Sequence, residues 1–424
     1  MANLGTQIFH AEWNELLKAG KIEELLAHMW KVALHCSIYS PQYRGSYLYL
    51  REMDLFLHAV GQLLSRALPN TQITDPGDLF LYAATAIYEV GGHTRVLEDV
   101  VKSFPEYQHV LLLTDMKTIP DLLVERFREL NITVIIVEGG SYINKIVQLK
   151  NLIAKYQPKC LFNFAHPYDV IVNSALTGYQ VPVLFDHFAN NLPCLGATRA
   201  DFLHIDHSET CFHYCQKNSG VTPHWIRLTA EDHGAALLPA AAEALTCVTC
   251  AGDPSKYVGV VEFSYPQLLA ALFKAGVSLC YHVGPLPEHV RDSFKNKIAA
   301  LGEDPDKFQA VGPVASLNEL LHRLKPDFYF DSHPVTGGKT IIEALSAGIP
   351  ILLPRPRTGS QFLNRDLTFG AAITIHDLQD IDAALSRFRK EKDILARASR
   401  QIYERYYSLQ MLRNEYLSIL GLAS

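Results

Sequence analysis

From Leu79 onward the chain alternates between short apolar runs and segments of helical spacing, in two successive series, which restricts it to parallel sheets wrapped by helices. In the first series the runs at 79–87, 109–115, 132–139, 160–165 and 181–187 read as strands. The intervening segments 93–104, 119–130, 142–156 and 168–179 carry helical periodicity. A His-rich span then runs to about Pro223 without a clear element, and the Ala-rich 229–245 reads as a helix or a linker. In the second series strands are expected from 245 and at 277–284, 308–312, 327–330, 349–353 and 371–375. Helices are expected within 261–276, 289–302, 317–325 and 339–347, and in the long charged tail from Asp380. The fold class is therefore α/β, with two Rossmann-like domains.

Ahead of the alternation, residues 9–68 are helical in pattern, punctuated by Ala19-Gly20 and Ser40-Pro41-Gln42 into three helices. A stretch rich in Pro, Asn, Thr, Gly and Asp follows at 69–78. The division expected is a helical N-terminal module (1–72), an N-terminal Rossmann-like domain (73–235), a C-terminal Rossmann-like domain (236–400) and a C-terminal helix (401–424). Helical pairs of this kind stack against a partner or a neighbouring domain, so the N-terminal module is a candidate for partner or oligomer contact.

Lys325 to Pro354 (KPDFYFDSHPVTGGKTIIEALSAGIPILLP) is the most informative segment. It reads as strand, polar turn, helix and second strand, with Gly348 and Pro350 ending the helix. The turn falls at the carboxyl end of a strand and the amino end of a helix, where peptide N–H groups can hold an anion. Gly337 and Gly338 let the backbone approach a ligand, and Glu343, one turn into the helix, can reach a pair of hydroxyls. A phosphate at the helix opening and a ribose at the acid make a nucleotide site. GGKT is not a phosphate-binding P-loop, because His333 stands where that motif needs its first glycine.

This segment resembles the donor-binding stretch of GT-B glycosyltransferases, in which a strand and a polar loop with paired glycines lead into Glu-Ala-Leu, a small residue, Gly and Pro. It is most similar to O-GlcNAc transferases, bacterial protein N-glucosyltransferases and related polysaccharide-assembly transferases. His282 to Gly284, Leu301 to Phe308 and the run up to Asp331 add to the likeness, which is good over about 257–374, weaker over 79–228 and absent before. The resemblance implies two halves facing a cleft, with a nucleotide-sugar donor, UDP-sugar first, on the C-terminal half. It places a glycan, lipid-linked or protein acceptor on the other half, and a C-terminal helix returning to that half. The diphosphate is then expected at Gly337 to Thr340, aided by the Lys339 charge and the Thr340 hydroxyl, with Lys256, His282, Gly284, Ser332, His333 and Glu343 completing the donor site.

The acceptor's proton needs a base. His93 in YEVGGHTR is the first candidate, with Gly91, Gly92 and Arg95 forming its loop, and Asp186 and His187 in FDHFANN are the second. That last stretch departs from the Asn-His-Ala-Asp type of some polysaccharide transferases. Val335 occupies the position where retaining relatives carry a glutamate, which favours inversion. Rival readings are a nucleotide-sugar epimerase or hydrolase on the same fold, and a non-catalytic GT-B-like partner subunit.

A net charge of −6 gives no sign of nucleic-acid binding, and no apolar run is long enough to span a membrane. The N-terminus does not read as a signal peptide, and the eight scattered cysteines suggest free thiols in a reducing cytoplasm. His204, His207, Cys211, His213 and Cys215 cluster in FLHIDHSETCFHYC, but their spacing fits no standard pair of zinc hooks. No metal and no cofactor beyond the nucleotide-sugar co-substrate is therefore expected. Cys247 and Cys250 fall on opposite faces of a strand, Asp304 and Asp306 flank a turn, and no Gly-x-Ser-x-Gly elbow occurs.

Overall fold

The computed structural model describes residues 9–39, 49–89, 92–187, 192–238, 244–257, 261–355, 357 and 367–422. They form two compact units. The first comprises Met1–Glu89, Val100–Ile226 and Glu415–Ser424, and the second Val90–Asp99 and Arg227–Asn414.

Unit 1 begins with α1 (His10–Lys18), α2 (Ile22–Leu34) and α3 (Arg51–Ala67). The alternation follows as β1 (Leu79–Ala84), α4 (Gly92–Ser103, whose residues from Val100 count with this unit), β2 (Gln108–Leu113), α5 (Asp121–Glu129), β3 (Ile132–Ile136), α6 (Tyr142–Tyr156) and β4 (Cys160–Phe164). It continues with α7 (Val170–Ala175), β5 (Val183–Asp186), β6 (Leu203–Asp206), α8 (Glu209–Asn218) and β7 (Pro223–Trp225). The seven strands pair in parallel in the order β3-β2-β1-β4-β5-β6-β7, so the chain reverses direction across the sheet between β1 and β4. The strands at the centre are apolar and buried on both faces, as a helix-covered parallel sheet requires.

The His-rich span that showed no element in the sequence holds β6, α8 and β7. It escaped the apolar pattern because its buried strand positions are polar. His204 and Asp206 of β6 are buried through hydrogen bonds instead, His204 Nε2 to the Arg199 carbonyl at 2.7 Å and Asp206 to His187 at 3.1 Å.

The three N-terminal helices are built into unit 1. Gly61 of α3 lies so close to α7 that a Cβ there would sit 2.4 Å from the Ser174 carbonyl and from Thr177 Oγ1. Asp54 of α3 is buried and accepts from the peptide nitrogens of Gly196 and Thr198 and from the Thr198 hydroxyl, at 2.6–2.9 Å. Glu23 of α2 accepts from the first N–H groups of α6, Tyr142 N at 2.8 Å and Ile143 N at 3.0 Å, with each carboxylate oxygen taking one.

Unit 2 runs through β8 (Leu245–Cys250), α9 (Tyr265–Lys274), β9 (Val277–Val283), α10 (Glu288–Ala300), β10 (Phe308–Gly312), α11 (Leu317–Leu324) and β11 (Phe328–Phe330). It is completed by α12 (Lys339–Ser346), β12 (Ile351–Pro354), β13 (Ile373–Ile375), α13 (Ile381–Tyr406) and the first part of α14 (Leu409–Leu420). Its six parallel strands are ordered β10-β9-β8-β11-β12-β13, with the reversal between β8 and β11. Residues 229–238 carry no regular element, and 239–243 lie outside the described residues. A buried ion pair, Lys392 to Asp327 at 2.5 Å, ties α13 to the start of β11, and the second oxygen of Asp327 accepts from Thr246 N.

The division falls at 226/227 rather than at 235/236. The boundary placed at 400/401 lies inside α13, whose buried positions run on from Leu395 through Ser399 to Tyr403. Beyond Glu415 the chain counts with unit 1, where Tyr416 packs on Phe104 and Phe162 at ring separations of 6.2 and 5.9 Å. All eight cysteines are buried and none is in a disulfide, and no helix among the described residues is long and apolar enough to cross a membrane.

The close approach at Gly61 gives a direct expectation. Gly61→Ala forces α3 and α7 apart and lowers stability by about 1–3 kcal/mol, read as a fall in Tm. A Tm equal to the parent's would show that the N-terminal helices do not depend on this contact.

Candidate functional site

In an open parallel sheet the ends of the two strands flanking the reversal diverge and leave a crevice for ligands. In unit 2 those strands are β8 and β11, and the turn leaving β11 is the Asp331–Gly338 loop. Its shape is set by Asp331, which is fully buried. One oxygen, Oδ1, accepts from Ser332 N and from Gly337 N, each at 2.8 Å, so the carboxylate draws the two ends of the loop together. A Cβ on Gly337 would stand 2.7 Å from that oxygen and 2.5 Å from Thr340 Oγ1, so only glycine fits. Gly338, the residue before α12, has more room, its nearest neighbour being Leu228 at 3.5 Å.

The turn after β8 braces this loop. Lys256 Nζ donates to the Thr336 carbonyl at 3.2 Å and the Lys256 carbonyl accepts from Val335 N at 3.2 Å. Ser332 closes the loop internally through its hydroxyl to the Val335 carbonyl at 2.8 Å. His333 is buried, donates from Nε2 to the Phe263 carbonyl at 2.7 Å and stacks on the Phe263 ring, and burial holds its pKa below the usual histidine value.

Behind the loop, α12 presents Lys339 in its first turn and Glu343 in its second. The Lys339 ammonium binds the Asp99 carboxylate and the Thr229 carbonyl. Glu343 is partly buried, and desolvation raises its pKa from 4.5 to about 7. The Lys339 and Arg95 charges oppose that rise and Asp99 adds to it. Among the described residues no hydrogen bond reaches the Glu343 carboxylate, which leaves it able to accept from a ligand's hydroxyls.

Residues 92–99, the opening of α4, count with unit 2. Arg95 donates to the Ala315 carbonyl at 2.7 Å and pairs with Glu98 at 3.0 Å. His93 sits partly buried in the first turn and Gly92 is exposed, while Gly91 lies outside the described residues. The loop and α12 thus bring together Lys256, Ser332, His333, Gly337, Gly338, Lys339, Thr340 and Glu343 in unit 2, with Arg95 near enough to Glu343 to act on its charge and His93 two residues before Arg95 in the chain.

Four sequence candidates take other places. His282 is fully buried among Tyr257, Tyr265 and Phe308, bonded to the Tyr265 hydroxyl at 3.0 Å, and burial lowers its pKa to about 4. It is a neutral member of the aromatic core. Gly284 has φ +115° and would place a Cβ 2.0 Å from the Ala251 carbonyl, so its glycine serves the close passage of two strand ends. Asp186 and His187 are buried in unit 1, bonded to His207 at 2.9 Å and to Asp206 at 3.1 Å, which makes them interior groups rather than ones turned toward an acceptor.

Asp331 and Asp99 were not singled out in the sequence. Asp331 carried a readable signal, an Asp ending an apolar strand before a Ser, Pro and Gly turn. Asp99 carried none, since its partner is far along the chain.

Unit 1 has its own concavity at the carboxyl ends of its central strands, a cavity of about 250 Å³ lined by Thr85, Thr114, Asp115, Tyr142, Lys145 and Asp169 among others. The Thr85 and Thr114 hydroxyls both donate to Asp169 Oδ2, at 2.7 and 2.9 Å, while Asp169 Oδ1 caps α7. Lys145 donates to the Thr114 carbonyl at 2.6 Å.

No protein-family model and no curated protein matches the sequence. Solved structures do match in fold. Anabaena HepE in complex with UDP and glucose aligns with TM-score 0.59 at 12% identity, over 82% of this chain and 100% of that one. S. aureus TarM in complex with fondaparinux, alpha-GlcNAc-glycerol and UDP aligns with TM-score 0.60 at 10% identity, over 81% of this chain and 100% of that one. An O-GlcNAc transferase of Thermobaculum terrenum aligns with TM-score 0.58 at 14% identity, over 98% of this chain and 81% of that one. At these identities the likeness establishes the fold.

The raised pKa of Glu343 has a sign that can be tested. With the folded value above the unfolded one, the carboxyl costs nothing while protonated in both states. It then weakens the fold progressively as pH rises from 4.5 to about 7, by up to about 3 kcal/mol. Glu343→Gln should therefore match the parent's Tm near pH 4.5 and exceed it above pH 7. An equal Tm across the range would show that the carboxylate is not desolvated.

Proposed function

The chain has the GT-B fold, two Rossmann-like units with helices at its N-terminus, and from that premise we propose that it is a glycosyltransferase. The donor is a nucleotide-activated sugar, UDP-sugar first, since HepE and TarM were solved with UDP. The observation that carries the reading is the pair formed by the Asp331-organised loop and Glu343. A backbone turn with no room for a Cβ leads into a helix N-terminus, and a partly buried carboxylate waits one turn further on. That suits a diphosphate followed by the two hydroxyls of a ribose.

In the reaction the bond between the sugar's anomeric carbon and the diphosphate oxygen breaks, and the electron pair leaves with the nucleoside diphosphate. The peptide groups at the opening of α12 and the Lys339 charge stabilise that leaving group without a metal. A nucleophilic atom of the acceptor, a glycan, lipid-linked or protein group, forms the new bond and gives its proton to His93. Arg95, two residues further on, is close enough to Glu343 to oppose its pKa rise, which supports a role for the first turn of α4 in this reading. Val335 at the position of the retaining glutamate supports inversion. The polar cavity of unit 1 is the candidate to receive the acceptor.

A thermal-shift series with UDP, GDP, CMP and ADP tests the donor site, because a ligand at 100 times its Kd stabilises by about 2.7 kcal/mol. UDP should raise Tm, and Gly337→Ala should abolish the shift. If no nucleotide shifts the parent, the assignment falls.

His93→Ala should keep the UDP shift and lose transfer by about 10²–10⁴-fold. Transfer at the parent's rate would remove His93 from the mechanism, and donor breakdown that needs no acceptor would favour the hydrolase or epimerase reading.

A further inference from the structure

We infer that unit 1 holds a structural metal ion, zinc by the chemistry of its donors, among His187, Asp206 and Cys215. This inference is independent of the proposed activity. The residues come from three places: His187 follows β5, Asp206 ends β6 and Cys215 lies on α8. All are buried, and their donor atoms lie within 4.8 Å of one another.

The separations match a coordination polyhedron. Zn–S of about 2.3 Å and Zn–N or Zn–O of about 2.0–2.1 Å at tetrahedral angles give N···S edges of about 3.6 Å and N···O edges of about 3.3 Å. Here His187 Nδ1 is 3.6 Å from Cys215 Sγ and 3.1 Å from Asp206 Oδ1. The Tyr49 hydroxyl, also buried, donates to the same sulfur at 3.7 Å.

Two other readings fit less well. A Cys–His–Asp relay passes a proton through both ring nitrogens, one toward the sulfur and one toward the carboxylate. In this cluster sulfur and carboxylate converge on the same nitrogen, Nδ1. A purely hydrogen-bonded cluster sets the Cys215 thiol against the Asp206 carboxylate yet still leaves the buried Asp206 Oδ2 without a well-formed hydrogen bond among the described residues. A dication removes that cost. The thiol gives its proton to solvent, and thiolate, carboxylate and neutral imidazole then balance the two positive charges.

Sulfur, nitrogen and oxygen donors together suit zinc rather than magnesium or calcium. Burial of all three makes the ion structural, joining β5, β6 and α8. In the sequence, FLHIDHSETCFHYC lacked a second hook because the fold draws His187 from a different loop.

The test is metal content of the full chain, expressed without a polyhistidine tag, purified without immobilised metal and dialysed against metal-free buffer. Elemental analysis should find about one zinc per chain, with Cys215→Ser and Asp206→Asn near zero. Prolonged treatment with 1,10-phenanthroline should lower the parent's Tm, and added zinc should restore it. If the variants do not fold, cobalt(II) exchange into the parent still decides: thiolate-to-cobalt charge-transfer and tetrahedral d–d absorption are expected. Zinc-free parent protein whose Tm ignores chelator and zinc would overturn the inference, as would zinc retained in folded variants or cobalt without thiolate bands.

Discussion

A single carboxylate oxygen, Asp331 Oδ1, holds the turn on which the candidate donor site rests. At the end of β11 the strand's own hydrogen-bonding ladder stops, and the peptide groups of Ser332 and Gly337 would be left buried without partners. Asp331 supplies both partners from one atom, and the geometry leaves no volume for a side chain on Gly337. The position of α12 follows, because its first turn begins two residues after that anchor. Lys256 adds a second brace from the β8 side, so the segments following both strands at the reversal point of the sheet hold the same loop.

The charges behind that turn are arranged in opposition. Glu343 is desolvated, and Lys339 and Arg95 reduce that cost without forming a hydrogen bond to it among the described residues. Lys339 is itself committed to Asp99 and the Thr229 carbonyl. A diphosphate drawn to Lys339 therefore competes with a carboxylate already in place, which reduces the net gain from that cation. Among the turn's own N–H groups, those of Ser332 and Gly337 are likewise committed, both to Asp331 Oδ1.

The limits of the sequence reading follow from whether a residue's partners are near it in the chain. The apolar period fixed most strands, and the helix at 142–156 was read with its observed limits because its stripe, its cap at Ser141 and its end are all local. The Asp331–Gly338 turn was legible for the same reason. β6 was not, since His204 and Asp206, bonded to the Arg199 carbonyl and to His187, take buried positions in it, and β7 is three residues long with Pro223 its buried one. His282 looked like a cleft histidine because it ends a strand beside a glycine, yet Tyr257, Tyr265 and Phe308, brought in from three other segments, enclose it. Nothing in the residues next to His282 encodes that enclosure.

The same reasoning explains why the N-terminal helices read as a separate module when they are part of unit 1. Both α2 (Ile22, Leu25, Leu26, Met29) and α3 (Met53, Phe56, Leu57, Val60) bury an apolar stripe, and two carboxylates and one missing side chain then fix where they attach. Glu23 places negative charge at the opening of α6, where the helix dipole and unpaired N–H groups favour it. Asp54 gathers three donors from the loop around Gly196 and Thr198, and Gly61 lets α3 approach α7 to backbone contact. Each device is invisible in a hydropathy pattern, since an acid or a glycine on a helix normally marks its solvent face. Glu23 also occupies the helix terminus bordering the unit 1 cavity, which Tyr142 lines.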